Sequence, residues 1–159
     1  MGSPVEDFVL TPAERALFAA LGARSVRFIV VGLSAAVLDG APVATQDIDI
    51  WFEQIDDERI REAAKDAGGF WISGFGMQPP SFGGEGLDRI DVVLTVHGLD
   101  NFGTEYSRTF QTTVDGIAFR VLPLRRVIAS KQATNRLKDQ ASLPVLEATL
   151  LAKGTRGDG

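Results

Sequence analysis

Asp47 and Asp49 stand two apart in the segment Asp47-Ile48-Asp49-Ile50-Trp51-Phe52-Glu53, which alternates as a β-strand does. Aspartate is depleted in strands because it packs poorly on a pleated surface. Two on one face place like charges ~6.6 Å apart along the backbone. A divalent cation removes that repulsion, and Asp91, in the strand-like run Arg89 to Val96, could supply a third oxygen ligand. The chain has no cysteine and a single histidine, His97, which excludes disulfides, thiolate chemistry and zinc centres built on several imidazoles. Carboxylate oxygen remains, and it suits magnesium or manganese. The other reading of Asp-x-Asp is a strand face whose charges sit in water, and the pattern by itself supports either.

Just upstream, Val30-Val31-Gly32-Leu33-Ser34-Ala35 reads as a strand ending in glycine and running into a short helix. A glycine at such a turn lets the backbone approach a phosphate, and the free amides of the helix start, around Gly32 and Ser34, can face it. Alone, one glycine before a helix serves tight packing equally well. Followed by Asp47-Ile48-Asp49 and then by Asp91, it becomes a constellation.

The 159 residues carry a net charge of −5, so the molecule as a whole is not an electrostatic nucleic-acid binder. The charges are unevenly placed. Asp47, Asp49, Glu53, Asp56, Asp57 and Glu58 form an acidic stretch, and Arg120, Arg125, Arg126, Lys131, Arg136 and Lys138 a basic one. That division fits a polyanion bridged to the carboxylates by a divalent cation, or simply two solvated faces. Hydrophobic residues at 45% and charged residues at 23% are those of a globular chain with a core. The longest apolar run, Phe28 to Leu38, is far short of the ~20 residues of a membrane helix. With no export signal and no cysteine, a cytoplasmic protein that does not engage a membrane is expected.

The elements that must position these residues are legible in outline. Thr11-Pro12-Ala13-Glu14 is a capping box opening a helix that Gly22 should end. A strand over 27–31, a short helix over 34–39, the aspartate strand and a helix over 57–67 follow. The glycine-, proline- and aromatic-rich segment 68–86 reads as a short strand near 70–73 and then a long mobile loop. The Asp91 strand comes next, then a hairpin turning at Asp115-Gly116. A helix over 124–133 precedes another over 138–152, which Pro144 should kink or restart. Trp51, on the carboxylate face, is expected to be covered by a neighbouring element. Arg125 and Arg126 open a helix against its dipole, so they should answer to some other group. One domain over 1–159 is expected, with 1–10 and 154–159 flexible.

In the order Val31-Gly32, Ala35, Gly40, Thr45, Asp47-Ile48-Asp49 and Ile90-Asp91, the chain resembles the minimal nucleotidyltransferases of the polymerase-β-like superfamily, which include toxin–antitoxin and abortive-infection proteins. It is similar to that subgroup also at Ala129-Ser130-Lys131, Arg136 and Lys138-Asp139. The resemblance implies an α/β (α+β) fold: a small mixed twisted sheet with the three aspartates on one face and helices packed mainly on the other. It implies that Asp47, Asp49 and Asp91 are the catalytic, metal-holding carboxylates, with Asp91 orienting or deprotonating an acceptor hydroxyl. Gly32, Ser34 and Lys131 would then be nucleotide-binding, and Mg2+ or Mn2+ the cofactor. The implied reaction moves a nucleoside monophosphate from an NTP to a hydroxyl of a protein, an RNA end or a small molecule. Leu33 replaces the family's second small residue, and Val43 and Gln46 stand where members often carry basic ones. Those departures support an alternative: a non-catalytic nucleotide-binding or interaction module of the same fold, such as a toxin–antitoxin component with a cognate partner.

Overall fold

Val31, Asp49 and Asp91 lie side by side across three adjacent strands, and the architecture follows from how those strands are held. The computed structural model describes residues 8–155. The elements are α1 (Pro12–Ala23), β1 (Phe28–Val31), α2 (Gly32–Leu38), β2 (Ile48–Phe52), α3 (Glu58–Asp66), β3 (Phe70–Ile72) and β4 (Ser81–Gly83). There follow β5 (Ile90–Val93), α4 (Phe102–Arg108), β6 (Phe110–Val114), β7 (Ile117–Val121), α5 (Leu124–Thr134) and α6 (Leu137–Thr155). Five strands form one mixed sheet in the order β5-β2-β1-β7-β6, and β3 and β4 form a separate hairpin. The fold is the mixed α/β arrangement the sequence implies.

The register sorts the side chains by face. Phe28, Val30, Ile48, Ile50, Phe52, Ile90, Val92, Phe119 and Val121 are all buried. They share one face, where Phe18 of α1 meets Phe28 and Phe119 at ring centroids 5.6 and 5.3 Å apart. The opposite face carries the row Val31, Asp49, Asp91 and, beneath it, the row Ile29, Trp51, Val93. Trp51 is covered as expected, by Phe102 of α4, edge-on at 5.3 Å. That helix had no counterpart in the sequence reading, so the carboxylate face carries a helix of its own. Asn101 caps α4, accepting from the Thr104 amide at 2.9 Å, and Glu105 roots it. Glu105 is fully buried and takes Arg126 in two bonds, Nη2 to Oε2 at 2.6 Å and Nε to Oε1 at 3.0 Å. Arg126 therefore answers to α4, while Arg125 is exposed.

The capping box at Thr11 is present in both directions and does more than start a helix. The Thr11 hydroxyl donates to the Gly86 carbonyl at 2.7 Å, and the buried Glu14 pairs with Arg89 at 2.7 Å. These contacts fasten α1 to the chain entering β5, two residues before Asp91. The helix runs past Gly22 to Ala23.

Two expectations are corrected. The strand near 70–73 is present as β3, but the segment after it is not one long loop: β4 pairs antiparallel with β3, and Phe82 is buried against Trp71 and Phe52. Glycine and proline density hid a strand of three residues whose central phenylalanine reaches the core. Pro144 does not restart the last helix, since α6 is continuous through it. Of the ends expected to be flexible, residues 1–7 and 156–159 lie outside the described residues. Leu10 is buried, and Gly154 and Thr155 belong to α6.

Because Phe82 is 5% exposed, Phe82→Ala should cost ~3–5 kcal/mol by urea unfolding. A loss under ~1 kcal/mol would place the hairpin outside the core.

Candidate active site

A cavity of about 360 Å³ opens at the C-terminal end of β1, between the carboxylate row and the elbow joining α5 to α6. Asp47, Asp49 and Asp91 line one side, and Lys131, Arg136 and Lys138 the other. Gly32, Thr45, Thr95 and His97 also contribute. The two charged stretches of the sequence thus meet, in part, across one space. The rest of the acidic stretch does not join them. Asp57 caps α3, accepting from the Arg59 amide at 2.9 Å, and Glu53 pairs with Arg27.

Asp49 is the most constrained of the three. Its amide donates to the Ser34 hydroxyl at 3.2 Å, and that hydroxyl donates to the Val31 carbonyl at 2.7 Å. The carboxylate lies against Gly32, where an added Cβ would come within 2.2 Å of Oδ2. Gly32 also has φ of +67°, so both its backbone and its missing side chain are required there. Ser34 is fully buried and outside the cavity lining, so its side chain serves Asp49 and is not offered to a phosphate. Burial is the largest influence on the Asp49 carboxyl, and the Asp91 and Asp47 charges add to it. Together they raise it to about 6, while Lys131 and Lys138 oppose the shift. Burial and then the Asp47 charge raise Asp91 as well.

The opposite wall is organised by Asp139, in the first turn of α6. It is fully buried, accepting from Lys131 Nζ at 3.2 Å, from Arg136 Nε at 2.8 Å and from the Arg136 amide at 3.1 Å. Against the effect of burial, those bonds hold its carboxyl down to about 2. Asn135, in the left-handed region at φ 51°, makes the elbow between the helices. Lys131 therefore lines the cavity while bonded to Asp139, and Arg136 reaches it from the elbow. Of these, Asp139 is the one sequence reasoning left without a role; an acid three residues after Arg136, at helical spacing, was the available signal. His97 reaches the lining because Gly98 seats its loop on α5, where an added Cβ would come within 2.6 Å of the Ala133 Cβ. Val43 and Gln46 are not among the lining residues.

The donor set is all hard oxygen, which suits Mg2+ or Mn2+. Among the described residues no three His, Cys, Asp or Glu side chains form a metal cage by themselves. Burial, and after it the charges of Asp91 and Asp47, raises the Asp49 carboxyl, and a cation beside it would oppose that shift.

No protein-family model and no curated protein sequence matches the chain. Solved structures do. The solution structure of the antibiotic-resistance factor ANT(2'')-Ia aligns over 87% of this chain and 82% of that one, with a TM-score of 0.58 at 14% identity. The crystal structure of ANT(2'')-Ia in complex with adenylyl-2''-tobramycin aligns over 89% and 90%, with a TM-score of 0.56 at 14% identity. The chain shares its fold with ANT(2'')-Ia. Among the described residues no helix is long and apolar enough to cross a membrane.

Two predictions test this geometry. Gly32→Ala should destabilise the protein severely, and most of that cost should vanish in an Asp49→Ala background, leaving ~1 kcal/mol of backbone strain. Additive losses in urea unfolding would show that Gly32 and Asp49 do not touch. The second concerns pH. Asp49 has its carboxyl raised from 3.8 to about 6 in the folded chain, so between those values the folded state holds a proton the unfolded state has lost. That contribution to stability declines as pH rises through the window and is gone above it. The melting temperature of the metal-free protein minus that of Asp49→Asn should fall from pH 4 to pH 6; a flat difference would remove Asp49 as its source.

Proposed function

We propose that the protein is a metal-dependent nucleotidyltransferase that moves a nucleoside monophosphate from an NTP to an acceptor hydroxyl. The observation that carries this is the half-buried Asp49 in register with Asp91, facing Lys131, Arg136 and Lys138 across one cavity in a fold shared with ANT(2'')-Ia. Asp47, Asp49 and Asp91 would hold the metal, the backbone amide at Gly32 would face a phosphate, and Lys131 would contact the triphosphate. A bound Mg2+ or Mn2+ would neutralise triphosphate charge and align the attacking and leaving oxygens. Asp91, exposed at the cavity, accepts the proton as the acceptor oxygen bonds to the α-phosphorus and the bond to pyrophosphate breaks. Lys131 and Arg136 stay fixed on Asp139 throughout, so they need no reorganisation when the leaving charge develops.

The acceptor is a hydroxyl of a protein, an RNA end or a small molecule. The structural neighbour bound to an adenylylated tobramycin makes the third class the first to screen. The second reading, an interaction module with a cognate toxin or antitoxin partner, is favoured by the exposed Leu137 and Leu151 on α6.

Thermal unfolding with each of the four NTPs, with and without Mg2+, separates the readings. A nucleotide at ~100 times its dissociation constant stabilises by ~2.7 kcal/mol, or several degrees in a domain of this size. The enzyme reading requires a shift that needs metal and nucleotide together and is absent in a folded Asp49→Asn. In single-turnover transfer that variant should be slower by ~10³-fold or more. No shift with any nucleotide would leave the interaction module.

A further inference from the structure

A second cavity of about 360 Å³ shares no lining residue with the first. Arg27, Tyr106, Gln111 and Arg120 border it, together with Ser25 at the turn between α1 and β1. Arg120 pairs in register with Ile29 on β7's inner side and with Gln111 on its outer side. The cavity therefore lies on the carboxylate face of the sheet, with Tyr106 of α4 at its border.

The charges here are arranged differently from those anywhere else among the described residues. The guanidinium of Arg27 stands 4.7 Å from the ring centroid of Tyr106, and that of Arg120 stands 5.9 Å from the same centroid. Two cations thus converge on one ring. Arg27 shares its charge with Glu53, 3.5 Å away and half-exposed. Arg120 is half-buried, with no ion pair and no side-chain hydrogen bond among the described residues. Every other guanidinium among the described residues that is half-buried rather than exposed, at Arg15, Arg24, Arg61, Arg89, Arg108 and Arg126, has a carboxylate partner. A ring attracts a cation by at most a few kcal/mol and neutralises none of its charge. Arg120 thus brings an unpaired charge into the concavity, and Arg27, exposed at its rim, adds a second that it shares with Glu53.

We propose that this cavity binds a phosphate group through Arg120 and Arg27, independently of the carboxylate site. A dianion matches two guanidiniums, and the planar fork of arginine takes phosphate oxygens in pairs. Gln111 adds an amide donor and Ser25 a hydroxyl. The ring of Tyr106 is already stacked on Phe102 at 5.5 Å and shielded by Arg27, so no base-stacking platform is offered. The cavity reads the phosphate and not the group that carries it. A small phosphate ester and the 5'-phosphate of an oligonucleotide share that chemistry.

The chain contains one tyrosine, so labelling with 3-fluorotyrosine places a single ¹⁹F signal at this cavity. Inorganic phosphate titrated into the full chain at constant ionic strength should shift that signal saturably, with a midpoint under ~10 mM. Arg120→Gln should weaken the response about tenfold or more, and Arg120→Lys, which keeps the charge and loses the fork, should fall between. Lys138→Gln, in the other cavity, should leave it unchanged. No saturable shift in the wild type overturns the proposal. So does an undiminished response in Arg120→Gln, or loss of the response in Lys138→Gln, which would assign the phosphate to the carboxylate cavity. Repeating the titration with a nucleoside monophosphate and with a 5'-phosphorylated oligonucleotide identifies the carrier: the tighter one is the natural source, and equal midpoints assign the site to the phosphate alone.

Discussion

A carboxylate pressed onto the Cα of a glycine at a strand end is the contact from which the site is built. Asp49 occupies the space a side chain at position 32 would fill, and its amide is tied through Ser34 to Val31, the last residue of β1 before Gly32. The register that brings Asp49 to the end of β1 also places Asp91 beside it. The cost is electrostatic: burial and like charge keep a proton on Asp49 to about pH 6. A protein selected for stability alone would not retain such a residue, because the group destabilises the empty fold at neutral pH. A cation brought with the ligand, as the proposed function has it, would restore the balance.

The cations already in the cavity are prevented from doing so. Lys131 lies close enough to act on Asp49 electrostatically, and a direct pair between them would close the cavity and satisfy both. Asp139 competes for that ammonium and holds Arg136 as well, from a fully buried position and with a carboxyl that stays ionised down to about pH 2. The positive wall is thereby kept apart from the negative row. A ligand carrying both signs, such as a metal–triphosphate complex, is complementary to that arrangement, whereas a simple anion or a simple cation satisfies only half of it.

The strands, most helices, the capping box and the hairpin at Asp115-Gly116 were legible because periodicity and turn chemistry are local. So was the carboxylate row, since Asp47, Asp49 and Asp91 each sit in an alternating segment whose faces can be counted. Two elements were not. The strand at 81–83 is too short for a period to show, and α4 is a helix of seven residues between a histidine-containing loop and a strand. Ser34 shows a different limit. A hydroxyl at a helix start reads the same whether it faces a ligand or bonds its own backbone, and only the burial distinguishes them. Arg126 was legible as an anomaly, a cation at a helix N-terminus, but its answer lay in a buried glutamate on an element the sequence did not announce.

The departures at Val43 and Gln46 take on a different weight once the walls are known. Read along the chain, two missing basic residues beside Asp47-Ile48-Asp49 argue for an eroded phosphate site. In space, neither position is part of the cavity lining, while Lys131, Arg136 and Lys138 are, brought there by the left-handed elbow at Asn135. Positive charge has thus been supplied from the far end of the chain, and held by a buried acid so that it is available and fixed. A motif counted along the sequence measures where charge is encoded; the field that a triphosphate meets depends on where the fold delivers it. By that measure the site is charged on both sides, and Leu33, which does line it, is the departure that still bears on how closely a phosphate approaches Gly32.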